Sequence, residues 1–252
     1  MSFIVGSSAS QTLNGTALDD TMQGLGAGDR LFGLGGNDIL FGGEGSDLLT
    51  GGTGADILYG GDGIDSASYA EATGPVIADL GLGYSSGPDG ADTFRGIEGL
   101  MGSAFDDRLT GDARDNFLRG LAGNDRLDGG GGVDVAVYAD APSSVNVNLA
   151  TGVVSGGSGA DTLVNIEGVF GSTFTDVLVG DARDNLIQGD LGNDVLDGGA
   201  GFDTVRYSAA TAGVTVNLAT GTASGGQGND TLTGFEAVHG SLLADTLIGD
   251  AG

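Results

Sequence analysis

A nine-residue repeat dominates this sequence and is most regular between Gly33 and Ser68. The four consecutive rows in that stretch are GLGGNDILF, GGEGSDLLT, GGTGADILY and GGDGIDSAS. Every row has glycine at its first and fourth positions, aspartate at its sixth and a residue of core size at its eighth. A period this regular predicts a repeat architecture in which each row adds one copy of the same structural unit.

A single row predicts its own local structure. Positions seven to nine, with an apolar residue at position eight, make a very short strand whose middle side chain points inward. Positions one to six reverse the chain, and glycine tolerates the positive φ angles and close backbone approach that such a turn requires. Two rows then form one coil of eighteen residues. Successive coils stack as parallel strands about 4.8 Å apart.

Stacking also predicts a ladder of acidic side chains. The sixth-position aspartate of one row lies beside that of the next row but one. Like charges a strand spacing apart repel each other, so a cation is expected between them. Carboxylates and backbone carbonyls are hard oxygen ligands, which suit Ca²⁺ better than zinc or copper.

The charge balance agrees with bound cations. The 252 residues include 35 Asp and Glu against 8 Lys and Arg, for a formal charge of −27, and the acids recur at fixed intervals. Fixing 53 glycines around so thin a core is entropically costly, so we expect an unfolded calcium-free chain and a folded calcium-bound chain. Strong acidity argues against nucleic acid as a partner. No apolar run is long enough to span a membrane.

On the rows quoted above, the sequence resembles the RTX (hemolysin-type) calcium-binding nonapeptide-repeat β-roll family. The resemblance implies an all-β fold, a right-handed parallel β-solenoid with almost no helix, that binds multiple Ca²⁺ ions. RTX proteins are typically bacterial and leave the cell unfolded by type I secretion. The resemblance therefore implies an extracellular or cell-surface location.

The predicted calcium ligands are the sixth-position aspartates of rows that keep the fourth glycine, together with carbonyl groups of the turn glycines. The aspartates are Asp29 (whose row shifts the glycine by one), Asp38, Asp47, Asp56, Asp65, Asp92, Asp125, Asp134, Asp161, Asp194, Asp203 and Asp230. The glycines are Gly33, Gly42, Gly51, Gly60, Gly129 and Gly198. Four aspartates are weaker candidates, because Leu or Phe replaces the fourth glycine of their rows. They are Asp20, Asp107, Asp176 and Asp245.

The chain is predicted to be a single continuous solenoid over 1–252. Nonapeptide rows fill 6–68, and units of 69 residues follow at 60–128, 129–197 and 198–252, the last one truncated. The truncated end suggests a piece cut from a longer array. The first row has Gln11 at its sixth position and is predicted to bind no metal.

Each long unit contains an eighteen-residue segment without a glycine–aspartate turn, such as YADAPSSVNVNLATGVVS in the second copy. Apolar and polar residues alternate over 145–149, which predicts a half-buried strand longer than those of the rows. We interpret the segment as one coil closed without calcium, serving as a spacer, with a ligand-recognition face as the alternative. Three tyrosines are expected to add core bulk, namely Tyr69, Tyr138 and Tyr207.

Two further sets of polar residues recur with the 69-residue period. Glu98, Glu167 and Glu236 are either spare calcium ligands or edge carboxylates that are solvated or paired with arginine. Rows with asparagine at the sixth position and arginine at the fourth are predicted to be metal-poor, with the arginines as counter-charges. Their residues are Asn116, Asn185, Arg114 and Arg183.

The sequence offers little material for catalysis. With one histidine and no cysteine, a Ser–His–acid or Cys–His centre has almost nothing to be built from, so no enzyme activity is predicted. Two functional classes remain. One is a calcium-rigidified structural module of a surface-layer, adhesin or matrix protein, whose partners would be other copies or neighbouring modules. The other is an accessory module of a secreted protease, lipase or alginate epimerase that aids secretion, folding or polysaccharide binding.

Overall fold

The computed structural model of the chain describes residues 2–250. Strands and turns account for its regular structure, and no helix within 2–250 is long and apolar enough to cross a membrane. The chain divides into two compact units, unit 1 (1–132) and unit 2 (133–252). Each unit is a stack of coils with two facing sheets. The all-β parallel solenoid is confirmed, and a single continuous solenoid over 1–252 stays a prediction.

Unit 1 contains fifteen strands. They are β1 (Phe3–Val5), β2 (Thr12–Thr16), β3 (Thr21–Gly26), β4 (Arg30–Leu34), β5 (Ile39–Glu44), β6 (Leu48–Thr50), β7 (Ile57–Asp62), β8 (Ser66–Ser68), β9 (Ile77–Asp79), β10 (Tyr84–Ser86), β11 (Thr93–Arg95), β12 (Gly99–Met101), β13 (Arg108–Thr110), β14 (Phe117–Arg119) and β15 (Arg126–Asp128).

Unit 2 contains fourteen strands. They are β16 (Val135–Val137), β17 (Val145–Asn148), β18 (Val153–Gly156), β19 (Thr162–Val164), β20 (Gly168–Phe170), β21 (Val177–Val179), β22 (Leu186–Gln188), β23 (Val195–Asp197), β24 (Thr204–Arg206), β25 (Val214–Asn217), β26 (Thr222–Gly225), β27 (Gly228–Thr233), β28 (Ala237–His239) and β29 (Thr246–Ile248).

Successive rows contribute strands to opposite sheets, so the predicted coil of eighteen residues is confirmed. In the first sheet, β3, β5 and β7 are parallel neighbours, with Met22 opposite Leu40 and Leu40 opposite Leu58. In the second sheet, β4 and β6 are parallel, with Leu31 opposite Leu49. Because the register shift equals two rows, identical row positions stack directly above one another.

The core is a column of eighth-position side chains between the two sheets. The residues at this position from the second to the sixth row are at most 1% exposed, and they are Met22, Leu31, Leu40, Leu49 and Leu58. The three strand residues of a row, at its seventh to ninth positions, offer only one inward side chain, because side chains alternate between the two faces. The interior is correspondingly thin, as the sequence predicts.

The eighteen-residue segment is not a coil, which corrects the sequence-based interpretation. In unit 1 it forms the hairpin β9–β10, and β10 runs antiparallel to β9 and also pairs with β11. β11 then pairs in parallel with β7 and β9 with β13, so the hairpin is inserted within the first sheet. The second sheet passes directly from β8 to β12. A sequence that alternates over one face can pair in either direction, which is why periodicity alone did not distinguish the two arrangements.

Unit 2 repeats this arrangement. The hairpins β17–β18 and β25–β26 are antiparallel, whereas β21 and β23 are parallel. The predicted alternation of burial holds in β17, but the predicted greater length is wrong. β17 has four residues and β9 three, whereas the row strands β3, β5 and β7 have six each, because the row strands continue into the glycine turn. Tyr138 and Tyr207 are buried as predicted, and Tyr69 is half-buried.

Candidate calcium site

Each turn between strands places its sixth-position side chain against the main chain of the coil before it. The backbone N–H of Asp38 donates to Oδ1 of Asp56 at 2.7 Å, and that of Asp20 donates to Oδ1 of Asp38 at 2.7 Å. The other edge of unit 1 has the same pattern, with the Asp47 N–H donating to Oδ1 of Asp65 at 2.8 Å. The predicted ladder of carboxylates therefore exists on both edges, with one oxygen of each rung hydrogen-bonded.

The second oxygen of many rungs is buried and accepts no hydrogen bond within the described residues. This holds for Oδ2 of Asp29, Asp38, Asp47, Asp56, Asp65, Asp194 and Asp203. A buried carboxylate oxygen without a partner is expensive, because burial removes its hydration without replacing it. Such a row of oxygens requires either protonation or a cation.

Main-chain carbonyls face these oxygens across the turn. A Cβ atom added to Gly33 would lie 2.5 Å from the carbonyl oxygen of Gly51 and closer still to Oδ2 of Asp38. A Cβ atom added to Gly42 would meet the Gly60 carbonyl oxygen at 2.6 Å and Oδ2 of Asp47. Both kinds of oxygen thus converge beside the first glycine of a row, in space that only glycine leaves free. This is a cradle of oxygen ligands of the kind that Ca²⁺ takes.

Burial controls the electrostatics of the ladder. It raises the pKa of Asp56 and Asp194 to about 7, and neighbouring ladder carboxylates add to the rise. Burial likewise raises the pKa of Asp38 and Asp65 to about 6. The calcium-free ladder therefore resists full ionisation near neutral pH, and a divalent cation would remove that resistance.

Most turns fall into two classes, distinguished by their second position. In an open turn the second residue has positive φ, as at Gly43 (φ 120°), Gly52 (φ 94°) and Leu34 (φ 75°). In a closed turn the backbone N–H of the second residue donates to the sixth side chain, as from Thr16 to Asp20 at 2.7 Å. The open turns hold Asp29, Asp38, Asp47, Asp56, Asp65, Asp125, Asp134, Asp194 and Asp203.

Closed turns satisfy their own carboxylates. Ser103 donates from its backbone N–H to Oδ2 of Asp107 and from Oγ to Oδ1 at 2.8 Å. Ser172 bonds Asp176 in the same way. The closed turns hold the four weaker candidates and both asparagines, namely Asp20, Asp107, Asn116, Asp176, Asn185 and Asp245. Sequence reasoning separated these rows by their fourth position and missed the Ser, Thr or Asp at their second, a residue type that commonly hydrogen-bonds nearby backbone.

Two predicted ligands have a different environment from the open turns. Oδ2 of Asp92 accepts hydrogen bonds from the Tyr69 hydroxyl at 2.7 Å and from Ser85 Oγ at 3.2 Å. Oδ2 of Asp230 accepts one from the Tyr207 hydroxyl at 2.9 Å. Both aspartates follow a hairpin, and each accepts its hydrogen bond from the tyrosine that precedes that hairpin.

All twelve predicted aspartates are at most 4% exposed, including Asp125, Asp134 and Asp161.

The carbonyl oxygens of the predicted glycines point at first-position glycines two rows earlier, but three of them face closed turns. Gly33 faces the turn of Asp20, Gly129 that of Asn116 and Gly198 that of Asn185. Sequence reasoning missed Gly96 and Gly234, whose carbonyls face the open turns of Asp65 and Asp203. Gly96 and Gly234 lie 138 residues apart, which is two 69-residue periods, and that recurrence was the available signal.

The recurring glutamates continue the ladder in place of aspartate. Oε2 of Glu98 accepts the Asp65 N–H at 3.1 Å, and Oε1 is paired with Arg114 at 3.3 Å. Glu167 accepts the Asp134 N–H at 3.1 Å and is paired with Arg183. The arginine-paired alternative is therefore confirmed for these two. Glu236 accepts the Asp203 N–H at 2.7 Å.

The arginines at the fourth position of the asparagine rows also pair with acids in their own turns. Nε of Arg183 lies 2.9 Å from Oδ2 of Asp181, and Nε of Arg114 lies 3.7 Å from Oδ2 of Asp112. The predicted counter-charge role is confirmed. In the first row, Nε2 of Gln11 donates to the carbonyl oxygen of Gly24 at 3.3 Å, so an amide occupies the place of a cation there.

The donor set fits calcium and depends on the backbone. Within residues 2–250, no three acidic or histidine side chains gather into a metal site by themselves. Five open turns instead offer a carboxylate together with a glycine carbonyl, and both are hard oxygen donors. They are the turns of Asp29, Asp38, Asp47, Asp65 and Asp203. A metal that prefers nitrogen or sulfur would find neither in this set.

Comparison with known proteins gives one family match. The sequence matches the RTX calcium-binding nonapeptide repeat over residues 5–40, 14–49, 32–67, 101–136, 170–205 and 220–236, together more than half of the chain. No curated protein matches it.

Among solved structures, the chain is similar to the crystal structure of extracellular lipase LipA from Serratia marcescens, with 18% identity and a TM-score of 0.31. That similarity covers 90% of this chain and 38% of the lipase chain. The chain therefore spans less than half of the lipase's length.

Proposed function

Because this chain belongs to the RTX calcium-binding nonapeptide-repeat family, whose repeats bind several Ca²⁺ ions, we propose that it is a structural module that folds on binding calcium. In this proposal the module works outside the cell, as part of a larger secreted or surface-layer protein. The family is a calcium-binding structural repeat, and the proposed role is mechanical and not catalytic.

The observation that carries the proposal is the set of buried carboxylate oxygens without hydrogen-bond partners, such as Oδ2 of Asp38 and Asp47. The oxygens of Asp38 and Asp47 each face a glycine carbonyl from the coil above. A cation in that position links two coils, so the energy of binding becomes energy of folding. Without it, several ionised carboxylates would be buried together, which the thin core cannot offset.

The ligands we propose are the open-turn aspartates and the glycine carbonyls that face them. The aspartates are Asp29, Asp38, Asp47, Asp56, Asp65, Asp125, Asp134, Asp194 and Asp203. We give Asp92, Asp161 and Asp230 a weaker part, because they follow hairpins and two of them are already hydrogen-bonded to tyrosine.

Secretion in an unfolded state is consistent with this ligand set. A chain held unfolded by its own acidic ladder at low calcium would pass through an export channel and fold where calcium is abundant. We also propose that 1–252 forms one solenoid, since the 69-residue period runs through the sequence without a break.

The test is a calcium titration of the purified chain followed by far-ultraviolet circular dichroism. Removal of calcium with EDTA should abolish the β-sheet signal, and millimolar calcium should restore it. Magnesium should not substitute, because it demands a tighter octahedral shell and sheds water reluctantly. A spectrum that is unchanged by EDTA, or equal rescue by both ions, would contradict the proposal.

A further inference from the structure

Unit 1 contains a cavity that takes no part in the carboxylate ladders. Its volume is about 130 Å³, and it opens on the outer face of the second sheet. Strand residues Phe32 of β4, Thr50 of β6 and Ser68 of β8 line it, together with the loop residues Glu71, Thr73 and Asp89. Phe32 lies directly opposite Thr50 in the sheet register. The cavity is therefore built on a rigid strand surface.

The residues two 69-residue periods later form the equivalent place in unit 2, here called the unit 2 corner. An arginine side chain occupies it. Phe170 lies opposite Gln188 there, as Phe32 lies opposite Thr50 in unit 1. Cζ of Arg206 is 5.2 Å from the centroid of the Phe170 ring. That distance is within the range of a cation–π interaction, in which a guanidinium group lies over an aromatic face.

A carboxylate completes the corner of unit 2. Nε2 of Gln188 and Nε2 of Gln227 both donate to Oδ1 of Asp190, at 2.7 and 3.1 Å. Burial raises the pKa of Asp190, and the charge of Arg206 opposes that rise. Unit 2 thus places its own guanidinium group over an aromatic ring, where Nε also donates to Oγ of Ser208 at 2.5 Å and the Asp190 carboxylate is close enough to act on it electrostatically.

The unit 1 cavity has the aromatic ring of Phe32 and acidic side chains but no guanidinium group among the described residues that line it. Three side chains of the unit 2 corner are replaced by shorter ones. The replacements are Arg206 by Ser68, Gln188 by Thr50 and Asp190 by Gly52.

In unit 1 the acidic side chains stand at other positions than Asp190 does in unit 2. Asp89 stands at the position of Gln227, and Glu71 also lines the cavity. Thr73 fixes Asp89 by donating from its backbone N–H at 2.8 Å and from its hydroxyl at 2.7 Å. A carboxylate accepts up to about four hydrogen bonds, so Asp89 retains capacity for a ligand.

We propose that the cavity of unit 1 binds a guanidinium group from outside the chain, as free arginine or as an arginine side chain of a peptide. A planar guanidinium stacks on an aromatic ring and hydrogen-bonds carboxylates at its edge, which a compact ammonium does less well. The formal charge of −27 adds a general attraction for cations. This site is separate from the calcium ligands and does not depend on the proposed structural role.

The test is a titration of the folded, calcium-loaded chain with Nα-acetyl-arginine amide, followed by calorimetry or by chemical-shift changes. The matched control ligand is Nα-acetyl-citrulline amide, which has nearly the same shape without the charge. We expect saturable binding at one site for the arginine compound, at least tenfold tighter than for citrulline. Equal binding of the two, or no saturable binding of either, would overturn the proposal.

Two reciprocal substitutions test the location. Ser68→Arg should supply the missing side chain from within and weaken binding of the arginine compound at least tenfold. Arg206→Ser should open the corner of unit 2 and raise the stoichiometry from one site to two. If Ser68→Arg does not fold, as judged by circular dichroism, Phe32→Leu takes its place and should also weaken binding at least tenfold. Unchanged binding in the folded variants contradicts the location.

The source of the guanidinium group is distinguished by a third comparison. Free arginine carries charged termini, whereas arginine within a capped tripeptide does not. Tighter binding of the tripeptide would assign the cavity to an arginine side chain of a protein partner, and tighter binding of free arginine would assign it to the small molecule. Both outcomes support a guanidinium site.

Discussion

The open turns around Asp38 and Asp56 and the closed turns around Asp107 and Asp176 carry the same residue at the same position of the row. In the open turns a buried carboxylate oxygen accepts no hydrogen bond, and that of Asp38 faces the carbonyl oxygen of Gly51. In the closed turns a serine supplies both a backbone N–H and a hydroxyl to the carboxylate. One fold thus meets the same electrostatic problem in two ways, with an internal hydrogen bond or, in our proposal, with an external cation.

The open and closed turns differ in backbone conformation. An open turn needs positive φ at its second and fourth positions, as at Gly52 (φ 94°) and Gly54 (φ 139°). A closed turn has Ser103 and Phe105 at those positions, and neither has positive φ. Residues with a Cβ atom prefer negative φ. The conformation of the second position therefore separates the two classes, and in our proposal only an aspartate of the open class needs calcium. Residue type alone does not separate them, because Asp190 has positive φ in an open turn whereas Asp112 stands at the second position of a closed turn.

The largest effect expected from this comparison is a reversal of pH dependence by calcium. In calcium-stripped buffer, the folded pKa values of about 7 for Asp56 and Asp194 lie above the ordinary value of 3.8, so the folded state binds more protons than the unfolded state. This contribution to stability is fully present below about pH 4 and is lost as the pH rises from about 4 to 7. A tenfold difference in proton affinity between the folded and unfolded states corresponds to about 1.4 kcal/mol.

With saturating calcium the ions replace the protons, and stability should fall as the pH is lowered from 7 to 4. With calcium the measurement is the urea midpoint at pH 4, 5.5 and 7. In calcium-stripped buffer, where the chain should be unfolded at neutral pH, it is the β-sheet signal in circular dichroism at the same three pH values. The same direction of change under both conditions would show that the open carboxylates are not the calcium ligands.

The next largest effect is expected from placing a closed-turn residue in an open turn. Gly52→Ser should destabilise the calcium-bound chain by roughly 3 kcal/mol. A non-glycine residue at positive φ costs about 1–3 kcal/mol, and a Cβ atom there would collide with the Leu34 carbonyl. The control is Gly131→Ser, where the nearest atom to the added Cβ is Cα of Ala113 at 3.8 Å. Equal losses for both variants, measured by urea unfolding, would remove the steric basis of the two classes.

A smaller effect should separate the two classes by calcium affinity. Asp56→Asn keeps an oxygen for the Asp38 N–H but removes the charge, and the calcium midpoint of folding should rise about tenfold, equivalent to about 1.4 kcal/mol. Asp107→Asn in a closed turn should leave that midpoint unchanged, although it weakens the hydrogen bonds from Ser103. A similar rise in both variants would mean that closed turns also bind calcium.

Much of this molecule could be predicted from the sequence, because the repeat constrains it at every level. The eighth-position core from Leu31 to Leu58 and the eighteen-residue register follow directly from the period. The ranking of Asp38 above Asp107 also agrees with the two turn classes, since a fourth-position glycine permits the positive φ of an open turn.

The parts that escaped prediction depend on long-range pairing. The hairpin β9–β10 has the same alternation whether its strands continue a coil or fold back, and only tertiary pairing decides between them. The role of Tyr69 as a donor to Asp92 arises from that folding back, which brings two residues 23 positions apart into contact. The carbonyl of Gly96 lies in a six-residue piece that does not resemble a row, so its position beside Asp65 was visible only in the structure.

The smallest effect expected concerns the hydroxyl group of the closed turn. Ser103→Ala removes the 2.8 Å hydrogen bond from Oγ to Oδ1 of Asp107 and keeps the backbone donor. It should cost about 1 kcal/mol, equally with and without excess calcium, because the bond belongs to the protein alone. The hydrogen bonds from Ser103 lower the pKa of Asp107 against the rise caused by its burial, so the substitution should also raise that pKa.

Ser46→Ala, at the fifth position of an open turn, is the matched control and should change stability by less than about 0.5 kcal/mol. A loss in Ser103→Ala that grows as calcium is withdrawn would mean that the ion and the hydroxyl share the same carboxylate. The distinction between turns that need calcium and turns that do not would then be one of degree, with Asp107 able to exchange one partner for the other.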